Sequence, residues 1–146
     1  MGAGFKISTM FAFLKSIFTK KVSLHPDLNK SEVKRLERSL HMWVGKTRYR
    51  EYSNSREDIA SQLNTSKDFL NSYFRNVLKV DFNTWRTSLR VEDAKIILLE
   101  QRDLPINIVG EMVGFSDRSN FHRQFTKIVG CTPKQWRESS GNKNLI

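Results

Sequence analysis

Between residues 31 and 46 the apolar positions recur at helical spacing. Val33, Leu36, Leu40, Trp43 and Val44 fall on one face, and Gly45 follows as a stop signal. The pattern predicts a first domain helix with Lys34, Arg35 and Arg38 on its outer side, available to approach phosphates, and a polar link over residues 46–54. A shorter pattern follows. Ser55-Arg56-Glu57-Asp58 reads as a helix start, with Ser55 as cap and Asp58 reaching back. Ile59, Ala60 and Leu63 give that helix its apolar face, and Asn64 sits where the chain must turn. Thr65 or Ser66 caps the next helix, which turns Phe69, Leu70, Tyr73, Phe74 and Val77 inward. Residues 81–100 contain no Gly or Pro and predict a long helix capped by Asp81, with Phe82, Trp85, Leu89, Ala94, Ile97 and Leu98 along it. Ile106, Val109, Gly110 and Val113 then form a second short helix, Gly114 a turn, and Ser116 or Asp117 a new cap. Phe121, Phe125, Ile128 and Val129 face inward on the helix after it. The expected fold is all-α.

The pattern repeats. Residues 69–86 (FLNSYFRNVLKVDFNTWR) return in altered form as residues 120–137 (NFHRQFTKIVGCTPKQWR) at an offset of 51, pairing Phe74 with Phe125, Trp85 with Trp136 and Arg86 with Arg137. Solenoids generally need about three copies or more to bury a core, so two copies indicate a duplicated module. Both copies place a small residue, Ala60 or Gly110, four positions before the turn. A small side chain there lets two helices cross closely, as a helix-turn-helix requires. Any pair of core helices uses small residues and turns, but two copies with matched turns, caps and aromatic anchors favour the motif. The helix joining them, at roughly 20 residues and 1.5 Å per residue, spans about 30 Å. That is close to the roughly 34 Å between successive major-groove faces of B-DNA.

The span from Ser55 to Arg137, densest in VGFSDRSNFHRQFTKIVGCTPKQWR at 113–137 and in LRVEDAKIILLE at 89–100, resembles the DNA-binding domain of the AraC/XylS transcription regulators. The resemblance covers about residues 31–138 and implies two homeodomain-like helix-turn-helix motifs on a linker helix. Motif one occupies about 55–79, the linker helix about 81–100 and motif two about 105–130, inside a domain of residues 27–140. Two positions depart from the family. Lys79 stands where Gly is usual after the first recognition helix, so that helix is expected to end differently, and Gly110 replaces a more usual Ala.

The exposed N-terminal half of a motif's second helix meets base edges in the major groove. The family's base-contacting positions carry over onto Asp68, Asn71 and Ser72, and onto Arg118, Ser119, Asn120, His122 and Arg123. Asn71 suits adenine, and Arg118 or Arg123 suits guanine, by bidentate hydrogen bonding. Asp68 has a competing reading, because Thr65-x-x-Asp68 spells a capping box. The second reader holds two arginines and a histidine, so it is expected to contribute more base-specific energy, against the family's usual pattern. Phosphate contacts are expected from Lys67, Arg86, Lys127, Lys134 and Arg137. Arg86 and Arg137 follow the two matched tryptophans and serve equally well in salt bridges that lock each module.

Charge refines this picture. The 146 residues carry a net charge of +10, but residues 1–50 hold 11 basic and 3 acidic residues against 14 and 12 in residues 51–146. Binding by the duplicated module therefore depends on where its charges sit. One cysteine, Cys131, excludes a disulfide framework and a multi-cysteine zinc site, and its match to Val80 marks it as a core residue. His25, His41 and His122 lack ligand spacing, and no phosphate loop, nucleophile motif or paired carboxylates stand out. Neither an enzyme, a cofactor, a metal nor a small-molecule site is expected.

Residues 1–26 form a basic amphipathic extension, with Ile7, Met10, Phe11, Leu14, Ile17 and Phe18 at helical spacing among lysines. The apolar run falls short of the roughly 20 residues of a spanning helix, and no signal-peptide cleavage site follows. Contact with a partner, a membrane surface or a second copy is expected of it; docking on the domain is the rival reading. A third is the end of a longer chain's connector, with MGAG left over from cloning. Residues 141–146 end the chain as a polar tail, which begins by composition at 139. The whole reads as a bacterial, cytoplasmic, nucleoid-associated regulator that binds double-stranded DNA, and the family resemblance implies contact with RNA polymerase and activation more often than repression. Its alternatives are the output domain of a larger sensor, tethered at the inner membrane in one version, and an interaction module that has lost DNA binding.

Overall fold

The computed structural model describes residues 28–52 and 54–143, and every regular element among them is helical. Contacts divide the chain into two compact units, with the boundary between Trp85 and Arg86.

Unit one starts with α1 (Lys30–Gly45), whose Asn29 cap accepts from the Ser31 amide. Val33, Leu36, Leu40, Trp43 and Val44 are all buried, as their spacing predicts. The chain reverses at Thr47 (φ 54°), however, and Gly45 simply ends the helix. A 3-10 turn, Arg48–Arg50, then buries Tyr49 against Trp43, with ring centroids 6.5 Å apart. This aromatic sits in the segment read from composition as a polar link. Helix α2 (Arg56–Gln62) opens with the expected capping box, in which Ser55 and Asp58 each accept from the other's amide. Asn64 turns the chain at φ 54°.

Helix α3 (Lys67–Tyr73) is capped by Ser66, whose hydroxyl accepts from the Phe69 amide. The Thr65/Asp68 box does not form, which corrects the capping role expected of Asp68. The helix continues as a π turn, Phe74–Leu78, and Lys79 closes it in the left-handed conformation at φ 58°. Motif one therefore ends differently, as its missing Gly implies, yet keeps the left-handed residue. Asp81 then caps α4 (Phe82–Glu100), accepting from the amides of Asn83 and Thr84. Trp43, Phe74, Phe82 and Trp85 form the aromatic centre of the unit, with neighbouring centroids 5.1 to 6.1 Å apart. These separations are within the range where ring quadrupoles add to area burial.

Unit two builds its core from Val91, Ala94, Ile97 and Leu98 of α4, with Val109, Val113, Phe115, Phe121 and Phe125. Helix α5 (Ile106–Met112) leads through Gly114 (φ 112°) into α6 (Arg118–Val129), capped by Asp117. Gly130 (φ 90°) releases the chain into α7 (Pro133–Lys143). The two turns are equivalent in hydrogen bonding: Thr65 N donates to Ala60 O, and Phe115 N to Gly110 O, each at 2.9 Å. Gly110 has a steric reason. A Cβ built there would lie 2.8 Å from Cγ and Cδ1 of Phe121. Where motif one has Ala60, the aligned partner is the smaller Leu70.

Two further expectations are corrected. Ile128, read as inward, is 41% exposed, because the core face of α6 is filled by Phe121 and Phe125. Cys131 is only half-buried. Helix α7 carries residues 139–143 of the polar C-terminal segment.

Candidate nucleic-acid interface

Each motif supplies one candidate reader, α3 or α6, and the caps decide which side chains of its first turn are available. With Ser66 as the cap, Asp68 is left exposed. Lys67 is exposed too, but its Nζ pairs with Glu57 Oε1 at 2.7 Å. That pair lowers the Glu57 carboxyl below its ordinary range and raises the lysine. Asn71 and Ser72 are half-buried, and Asn76 Nδ2 donates to Ser72 Oγ at 3.0 Å. Reader one thus offers small polar groups, one acid, and the exposed Arg75 one turn further on.

Reader two is richer in donors. Asp117 accepts from the Ser119 amide, leaving Arg118 and Ser119 exposed at the helix start. Arg123 is exposed, and its Nη2 donates to Asn120 Oδ1 at 2.9 Å. One face of α6 therefore carries a guanidinium oriented by its own neighbour, with Arg118 beyond. His122 is half-buried, its ring edge-on to Phe121 at 6.4 Å. Within each motif the structure thus brings the predicted readers onto one helix, with unequal freedom.

The phosphate candidates separate more sharply. Lys127 and Lys134 are exposed, and Arg86 is half-buried. Arg137 is engaged inside unit two. Its Nε donates to Leu98 O at 2.9 Å, Nη1 to Leu104 O at 2.8 Å and Nη2 to Gln101 O at 3.2 Å. Arg102 Nη1 donates in turn to Arg137 O at 3.0 Å. The last carbonyls of a helix have no partner within it. Leu98 O belongs to that last turn of α4, and Gln101 and Leu104 follow it, so Arg137 locks its module through carbonyls of the helix end and the loop after it, in place of the carboxylates expected from sequence. Burial and the nearby Arg102 both lower its pKa, yet a guanidinium stays charged. The matched tryptophans also diverge. Trp136 Nε1 donates to Lys95 O at 3.1 Å, while Trp85 Nε1 is buried without an acceptor.

No three His, Cys, Asp or Glu side chains among the described residues gather as a metal set, and no described helix is long and apolar enough to cross a membrane. The basic extension of residues 1–26 lies outside the described residues.

Comparison with known proteins agrees with this arrangement. Residues 59–139 match the family model described as a helix-turn-helix domain. The chain is 35% identical over 85 residues to the arabinose operon regulatory protein of Escherichia coli, covering 58% of this chain and 29% of that one. It is 30% identical over 115 residues to the RCS-specific HTH-type transcriptional activator RclR of the same organism, covering 79% and 36%. Among solved structures, the C-terminal domain of AraT, a response regulator from Geobacillus stearothermophilus, superposes with a TM-score of 0.63 at 26% identity, covering 80% and 88%. The chain spans about a third of the length of these two curated relatives. It belongs to the AraC-type helix-turn-helix family of transcription regulators.

Proposed function

We propose that the chain binds double-stranded DNA sequence-specifically, setting α3 and α6 into two adjacent major-groove segments, and that it activates transcription through contact with RNA polymerase. The observation that carries the reading is the duplication itself. Each unit presents one reader whose first turns expose polar side chains while the opposite face is buried. Helix α4 supports the spacing: its 19 residues correspond to about 28 Å at 1.5 Å per residue. Activation is supported by the name of RclR, a transcriptional activator. Arg118 and Arg123 are the principal base readers, with Ser119 and His122 beside them and Asn120 holding Arg123. Asp68, Asn71 and Ser72 read the other half-site, and Lys67, Arg86, Lys127 and Lys134 contact phosphates.

Random-site selection on the purified chain, followed by footprinting, tests this. A selected sequence with two unlike half-sites is the expected result. Equal binding to all duplexes would reject sequence-specific recognition, and binding to none would leave an interaction module in its place. A second reading is favoured by the coverage of the relatives, about two thirds of whose length lies outside the match. In it the chain is the output domain of a larger regulator, and the effector acts elsewhere.

A further inference from the structure

At three aligned positions the first motif carries a cation where the second carries none. Arg56, four residues before Ala60, stands opposite Ile106, four before Gly110, while Arg75 stands opposite Thr126 and Lys79 opposite Gly130. Ile106 packs against the core of unit two, so the architecture of the motif favours an apolar side chain there. Gly130 occupies a left-handed position that Lys79 also adopts, at φ 58°, which only a residue without Cβ takes up freely. In both places motif one has the less favourable residue for its own fold, and in both the replacement is positive.

All three cations line one recess of about 350 Å³ in unit one, next to Asn71 of the first reader, and its one acidic lining residue is Asp81. That carboxylate is already used, since it accepts from the amides of Asn83 and Thr84 and from the Thr84 hydroxyl in capping α4. The Arg56 guanidinium lies over the Phe82 ring, 4.4 Å from its centroid. Its Nη2 donates to Asn83 Oδ1 at 3.3 Å, and its Nη1 is buried with no acceptor. A buried donor without a partner is costly. Burial also disfavours the charge on Arg56, more than the nearby carboxylates of Asp81 and Glu57 restore it. An anion with several acceptor oxygens removes both penalties, and phosphate matches the guanidinium fork in geometry.

Resting on the DNA-binding reading above, we propose that this recess receives one phosphate of the duplex backbone beside the first reader, held by Arg56 with Arg75 and Lys79 completing the charge. The two motifs then divide the work. Motif one anchors through the backbone, and motif two supplies most of the base discrimination.

The test titrates the full chain into its selected duplex and into a random duplex over a series of salt concentrations. Arg56→Ile, which installs the second motif's residue, is expected to weaken both duplexes alike by roughly three- to tenfold. It should also reduce the salt slope by about one unit. Lys79→Gly should weaken binding in the same way while raising Tm, because it relieves the left-handed backbone. A purely structural role would not separate the two readouts. Wild-type affinity and slope in both variants overturns the proposal. So does an inorganic phosphate titration that raises the Tm of the parent chain but not of Arg56→Ile, if that variant binds DNA normally; the recess would then serve a free phosphate compound. Arg123→Ala run in parallel keeps the two readings apart. Loss of site preference in Arg123→Ala with unchanged binding by Arg56→Ile rejects the recess alone, whereas a parent chain that binds no duplex rejects both.

Discussion

Gly110 and Phe121 show how a single side chain sets its partner's size. An alanine at 110 would place its Cβ 2.8 Å from the base of the Phe121 ring, where the side chain has little freedom to withdraw. Gly110→Ala should therefore destabilise unit two by about 1–3 kcal/mol, as overpacking does. Adding Phe121→Leu recreates the Ala60/Leu70 pair of motif one, and chemical denaturation should show it to be less destabilised than additivity of the single variants requires. Arg137 gives a second residue-level expectation. With its guanidinium committed to Leu98 O, Leu104 O and Gln101 O, Arg137→Ala should cost about 2–4 kcal/mol of stability. Its salt slope for DNA should match the parent chain's; a slope lower by about one unit would restore the phosphate role. Arg118→Ala and Arg123→Ala should instead relax base preference in one half-site, each costing about 1–3 kcal/mol, while Lys134→Ala weakens all sequences alike. Selected-site competition against random DNA distinguishes the two classes.

At the scale of elements, what could be read in advance was local chemistry. The Ser55/Asp58 box, the turns at Asn64 and Gly114 and the caps Asp81 and Asp117 follow from side chains acting within a few residues of themselves. What could not be read depends on neighbours distant in sequence. Tyr49 is buried against Trp43 after a left-handed reversal at Thr47, and Ile128 is exposed because two phenylalanines already fill the core face. The π turn at Phe74–Leu78 has no signature in apolar spacing. The candidate readers could be placed on their helices from sequence, but not their engagement: Asn120 with Arg123, Ser72 with Asn76, and Arg137 with a helix end had to be seen. Arg137 had one available clue, the carbonyls that any helix leaves open at its end.

The cap of α4 also makes a pH prediction. Hydrogen bonds from Thr84, followed by those from the Asn83 backbone and the charge of Arg56, hold the Asp81 carboxyl below its ordinary value of 3.8. A depressed carboxylate contributes stability that is present above its unfolded-state pKa and lost as pH falls through the folded one. The contribution of Asp81 is thus complete above about pH 4 and declines below it. Asp81→Asn keeps a good cap but removes the titration. Its Tm should fall less steeply than the parent's below that pH, and parallel Tm curves would reject the assignment.

For the whole molecule, two unlike readers on one chain predict that a single copy protects an asymmetric site spanning two adjacent major-groove segments. Footprinting combined with sedimentation of the complex tests this, and a palindromic site occupied by two chains would reject it. Removing residues 1–25 should leave the ratio of specific to non-specific binding unchanged while altering oligomeric state or lipid binding. Loss of site preference on truncation would instead assign that segment to the domain.

Helix α4 has a further consequence. Its first turns give Phe82 and Trp85 to unit one, and its later turns give Val91, Ala94, Ile97 and Leu98 to unit two. It is therefore the closing helix of one module and the opening helix of the next, the place that α1 fills for the first. At the same offset of 51, Ser140 and Asn142 of α7 stand where α4 has Leu89 and Val91. Helix α7 therefore lacks two of the apolar positions with which α4 passes from one module to the next.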